Sequence, residues 1–150
     1  MRVKNVIRSF ISAVLVLLAA LGLSGCYNAG ADNYKSVAPG SNLDLQGLEL
    51  RSISIVSAAE NQPGRLLGTV FNTTDKDIGL VIRDKDDTVQ VTVPAKGKIG
   101  FDTAEHILQS TQDPPGARTN LTVEAKGGSK VTDVPVLDGT LSQYAPYVPK

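Results

Sequence analysis

The chain has no tryptophan, one cysteine, one histidine, and a single methionine at position 1. Aromatic residues make up only 5% of its 150 residues. Each scarcity excludes something. One cysteine cannot form an internal disulfide. One thiol and one imidazole fall short of the three or four ligands that a structural zinc site takes. A core with so few rings must be built from Val, Ile and Leu. The longest uncharged apolar run, Phe10 to Leu23, has 14 residues, short of the ~20 needed to span a bilayer as a helix. Basic and acidic residues balance at 15 each, without the basic patch that nucleic acid selects. No nucleic-acid partner is expected.

The apolar run has a meaningful position. "MRVKNVIRS" carries Arg2, Lys4 and Arg8 and no acid. A basic start, a short apolar segment and then small residues make a secretory signal. An ordinary cleavage site is Ala-x-Ala; here Leu23, Ser24 and Gly25 lead directly into Cys26. These four residues resemble the bacterial lipobox. That resemblance implies cleavage between Gly25 and Cys26 and a diacylglycerol, with further acyl chains such as palmitate, on Cys26. Residues 1–25 are then the signal peptide. The expected partner is the membrane, through lipid on Cys26, at the outer face of the cell membrane. Lipidation would consume the one thiol, since the thiolate is what binds metal or attacks carbonyls.

Removing residues 1–25 takes three bases and no acid. Twelve Lys/Arg then face 15 Asp/Glu, a formal charge of −3 over 125 residues. That length suits one domain. Residues 26–42, "CYNAGADNYKSVAPGSN", show no apolar period and read as a tether, its last sixteen residues spanning roughly 22 Å as a coil.

From Leu43 the pattern is strand-like. Leu48 and Leu50 alternate, then Ile53 and Ile55 alternate on the opposite parity. A one-residue slip flips the buried face, so a bulge near Arg51–Ser52, or a change of sheet, is expected. "RLLGTVFNT", "IGLVIRD" and "TVQVTV" read as further strands, with "AENQPG", "NTTDKD" and "DKDD" as turns. Ile99 and Phe101 resume alternation after Pro94, and "LTVEA" and "KVTDVPVLDG" follow, Pro135 marking an edge or bulge. Only "TAEHILQS" offers a helix, of one or two turns. The tail, residues 141–150, reads as extended and lying against the sheet. Many short strands at roughly ten-residue spacing imply an all-β, antiparallel, immunoglobulin-like β-sandwich over residues 43–140, a small barrel being the alternative.

Chemistry is sparse. His106 has Ser110 and Thr111 nearby in sequence, but no Gly-x-Ser-x-Gly elbow exists and nothing places an acid beside it; a structural role is expected, and no catalytic residue. "DKDD" and "TDKD" lack the calcium-loop pattern and read as turns. Asn72 and Asn120 head chance glycosylation sequons.

The succession "GLELRSISIVSA", "GRLLGTVFNTTDKDIGLV" and "VTVPAKGKIGFD" resembles small actinobacterial lipoproteins of the LpqE type. Through their sandwich it is also similar to periplasmic copper chaperones of the PCuAC group, over Leu43 to Val136. That resemblance implies Cu(I) held by paired Met and His, soft thioether ligands suiting Cu(I). Beyond Cys26 the chain has no Met and one His, so no metal or cofactor residue carries over. The expected function is a non-enzymatic binding or envelope-accessory module with an envelope protein as candidate partner. The alternative is a copper-chaperone-like carrier of metal or small ligand that has lost its Met/His site.

Overall fold

The computed structural model describes residues 40–150. The expectations for the signal peptide, the Gly25–Cys26 cleavage, the lipid on Cys26 and most of the tether lie outside the described residues. Nine strands follow: β1 (Ser41–Leu45), β2 (Leu48–Ser57), β3 (Gln62–Asn72), β4 (Ile78–Arg83), β5 (Thr88–Val93), β6 (Lys98–Gly100), β7 (Ile107–Thr111), β8 (Arg118–Ala125) and β9 (Gly128–Leu137). β1 begins two residues before the boundary read at Leu43.

The β2–β3 hairpin is the spine of the first sheet. β1 pairs with β2, and both β6 and β7 pair with β3. The second sheet runs β5-β4-β8-β9. β9 belongs to both: it is antiparallel to β8 along its length and parallel to β2 at Ile55↔Val136 and Val56↔Leu137. The result is an all-β sandwich rolled nearly into a barrel. At the open seam the Asp87 carboxylate, preceding β5, accepts from the Gln109 backbone N–H on β7. Pro135 lies just before β9 acquires its second neighbour, a position where a missing N–H removes no ladder bond to β2.

The parity fault in β2 is resolved by a bulge. Arg51 faces Thr69 and Ser54 faces Leu67, so three steps on β2 oppose two on β3. The extra residue, Ser52, takes a φ of 56°. This returns Leu48, Leu50, Ile53 and Ile55 to one face, where all four are at most 1% exposed. Opposite the bulge the chain needs Gly68: its φ is 118°, and a Cβ there would lie 2.8 Å from the carbonyl oxygens of Arg51 and Ser52.

Between the sheets, Leu45, Leu66, Val70, Ile78, Leu80, Ile82, Leu121, Val123 and Val134 join these four around Phe101. Apart from Phe101 and Ala125 every core member is Leu, Ile or Val. Each fully buried Leu or Ile contributes about 1.5–3 kcal/mol relative to exposure.

Two expectations are corrected. "TAEHILQS" is not helical: residues 107–111 form β7, with Arg65↔Ile107 and Gly64↔Leu108 paired. Leu108 enters the core while its neighbour Ile107 is only half-buried, as successive residues on the two faces of a strand are. Ladder bonding to β3 outweighs weak local preference. The tail is not extended throughout: Ala145–Tyr147 is one 3-10 turn with Pro146 in its first positions.

Candidate functional site

Along β2 the side chains alternate, so Ser54 faces away from the core that Ile53 and Ile55 enter. The same outer face of β3 presents Arg65, Leu67 and Thr69. The C-terminal segment returns over this face. Ser54 is 3% exposed and Leu67 8% exposed, outer-face residues buried without joining the inter-sheet core.

Arg65 organises this covering. Its guanidinium is largely buried, and three groups surround it. Nη2 donates to the Asp102 carbonyl oxygen at 3.1 Å. Nη1 meets the Glu105 carboxylate at 3.3 Å. The Tyr147 ring lies over the guanidinium, 5.0 Å to the centroid, within cation–π range. Nε is buried without a partner. One side chain therefore holds both the turn after β6 and the C-terminal turn.

Between those two holds lies a groove of about 250 Å³. Leu67 and Gly68 form its floor; Ser52, Ser54 and Thr69 line the sheet side; Asp102, Tyr144 and Tyr147 complete the walls. The Ser52 backbone N–H donates to Asn42 Oδ1 at 2.9 Å, fixing the rim. A larger hollow of about 500 Å³ lies among Pro63, Ile107, Pro146 and Pro149; none of its lining side chains is a buried polar group left unpartnered.

His106 stands apart from any nucleophile. Its ring packs edge-on against Phe101, 5.1 Å between centroids, and its carbonyl accepts from the Leu66 N–H at 2.9 Å. Burial and then the Arg65 charge lower its pKa. Because β7 is a strand and not a helix, Ser110 sits about 13 Å along the chain from His106. The Thr111 hydroxyl is committed to Ser57 Oγ at 3.0 Å and the Gln62 carbonyl oxygen at 2.9 Å.

The acidic turn is engaged within the fold. Asp84 Oδ1 accepts from the Lys85 N–H, Asp87 Oδ1 from the Thr88 N–H, and Asp86 from the Gln112 amide. Asp84 Oδ2 is buried and unpartnered. Burial first, then the nearby charges of Asp113, Asp86 and Asp87, raise the Asp84 pKa. Among the described residues no group of three His, Cys, Asp or Glu is arranged to hold a metal ion. The Asn72 amide is fully used: Nδ2 donates to the Lys76 and Val93 carbonyl oxygens, and Oδ1 accepts from the N–H and hydroxyl of Thr74. Asn120 is exposed on β8. Among the described residues no helix is long and apolar enough to cross a membrane.

These features define a class: an immunoglobulin-like β-sandwich that carries a polar groove on its outer face. Two solved structures are similar to it. One, a copper-bound PCuAC domain from PmoF2, is 12% identical, with a TM-score of 0.52, covering 65% of this chain and 98% of that domain. The other, an apo PCuAC domain from PmoF1, is 16% identical, with a TM-score of 0.49, covering 64% and 98%. At such identity the first likeness establishes the fold. No family model matches the chain, and comparison with curated proteins finds no match.

The groove was missed in the sequence because its residues come from β2, β3, the turn after β6 and the tail. The available signal was "SISIVS", which sets serines opposite the core isoleucines, together with two tyrosines three apart near the end.

Proposed function

We propose that the chain is a lipid-anchored extracytoplasmic protein whose sandwich acts as a non-enzymatic binding or envelope-accessory module. The observation that carries this reading is Leu23-Ser24-Gly25-Cys26 placed directly behind a basic start and a 14-residue apolar run. One acyl chain holds a protein only marginally, at about 0.8 kcal/mol per buried CH₂, whereas two or three make a stable anchor. Feeding cells an alkyne-tagged fatty acid tests it. Wild type should take label and enter the detergent phase, and Cys26→Ala should do neither; equal partitioning of the two sinks the anchor.

The second reading is a carrier of copper or a small ligand. The likeness in fold to a copper-bound PCuAC domain supports it. The donor set does not: residues 40–150 offer one imidazole, packed on Phe101, and no sulfur. Soft sulfur ligands are what select Cu(I). Titration against a Cu(I) chelator should show no saturable transfer to the protein, and a stoichiometric transfer would restore this reading.

A further inference from the structure

We infer that residues 139–150 form a strap that lifts off the outer face of β2 and β3 as one unit while the sandwich stays folded, with the Tyr147 ring on Arg65 as its latch. The inference goes beyond the binding-module reading above and rests neither on it nor on the lipid anchor.

An antiparallel sheet commonly packs one face on the core and keeps the other wet. On the outer face of this one, two cross-strand pairs are dry. Ser54 faces Leu67 and Val56 faces Arg65, and the four are 3%, 8%, 0% and 9% exposed. The next pairs along the same face are Arg51 with Thr69 and Glu49 with Phe71. There Phe71 is 38% exposed. The C-terminal segment makes the difference. Tyr144 and Tyr147 stand across the groove from Ser54 and Leu67, and the Tyr147 ring lies over the Arg65 guanidinium.

This cover is held to the sheet at few points. Among the described residues its hydrogen bonds are all internal. The Thr140 N–H donates to Asp138 Oδ1 at 2.9 Å. The Tyr144 and Ala145 N–H groups donate to the Leu141 carbonyl oxygen, and the Tyr147 N–H to the Tyr144 carbonyl oxygen. Gly139 lets the segment close on itself, since a Cβ there would lie 2.6 Å from Val148 Cγ2. The segment thus has a shape of its own, and the turn at Asp138–Thr140, just past β9, is its hinge. No residue of its 3-10 turn is buried. Tyr144 and Tyr147 border the groove of about 250 Å³, while Pro146, Val148 and Pro149 border the hollow of about 500 Å³. The strap is therefore undercut on both sides of its seat on Arg65, and side chains beside a gap forfeit dispersion contacts. Closure also leaves Arg65 Nε buried without a partner, a donor that water would satisfy on opening. Segments with few buried apolar contacts open at free energies well below that of global unfolding. Opening uncovers Val56, Leu67 and the guanidinium together, replacing a surface of tyrosine and proline by an apolar patch with a positive charge.

The test is native-state hydrogen exchange on the full chain in detergent, with denaturant raised from zero to just below unfolding. The Tyr144, Ala145 and Tyr147 amides should share one opening equilibrium that barely responds to denaturant, because little surface is exposed. The Leu66 amide, bonded to the His106 carbonyl oxygen at 2.9 Å, should exchange at least about a hundredfold more slowly and follow global unfolding. Tyr147→Ala should speed the strap amides together, about three- to thirtyfold, the range of one cation–π contact. Tyr147→Phe keeps the ring and should leave them at the wild-type rate. A second measurement reads the face beneath. The thiol of Ser54→Cys should react with a thiol reagent faster than global unfolding allows, and faster again, by the same factor, when Tyr147→Ala is added. The inference is overturned if the strap amides exchange with the rate and denaturant dependence of Leu66. It is equally overturned if the three loosen independently, residue by residue, or if Tyr147→Ala leaves them unchanged. A Ser54→Cys thiol that reacts only on global unfolding also overturns it.

Discussion

Ser54 and Ser57 are three residues apart on one strand, at 3% and 0% exposure, yet their hydroxyls have opposite fates. Ser57 Oγ lies 3.0 Å from the carbonyl oxygens of Ala59 and Pro63 and 3.0 Å from Thr111 Oγ1. It ties the β2–β3 turn to β7. Ser54 ties nothing. In the first place the fold uses the hydroxyl. In the second, the fold would be at least as stable with a methyl group. The comparison separates polar groups that stabilise the sandwich from polar groups that the sandwich only presents.

The comparison can be broken by mutation. Ser57→Val should be the most costly change, about 2–3 kcal/mol, because it leaves the Thr111 hydroxyl and two turn carbonyls facing a methyl group. Chemical denaturation would measure it. A cost under about 0.5 kcal/mol would mean the polar knot is incidental.

A smaller effect comes from His106, packed edge-on against Phe101. Its folded pKa is lowered, so the unfolded chain binds the proton more readily. The contribution is therefore complete above the unfolded value of about 6.5 and is lost as pH falls below it. The melting temperature should decline between pH 7 and pH 5, and His106→Gln should flatten that decline. Partial exposure keeps the change small. An identical decline in the variant would place the titration elsewhere.

Ser54→Ala should have the smallest effect of all, within about 0.5 kcal/mol of wild type, since no partner is lost. A loss matching that of Ser57→Val would erase the distinction between the two serines.

Much of the sandwich was legible because its signals are local. The parity switch between Leu50 and Ile53 located the bulge, and the regular Val89, Val91, Val93 alternation located β5. β7 was not legible, since Ile107 and Leu108 gain their meaning only from Arg65 and Gly64 across the sheet. The groove shares that difficulty: Ser54, Thr69, Asp102 and Tyr147 are far apart in sequence and meet only after β9 and the tail have folded back.

β9 carries a consequence for the order of events when the chain folds. It seals β8 on one side and β2 on the other. Until residues 128–137 arrive, both of those strands present bare edges, the situation that invites pairing with other chains. Contacts as distant in sequence as Ile55 and Val136 also slow folding by raising contact order. A chain cut before β9 should therefore be not a smaller sandwich but a sticky one, since this one strand is the clasp between β8 and β2.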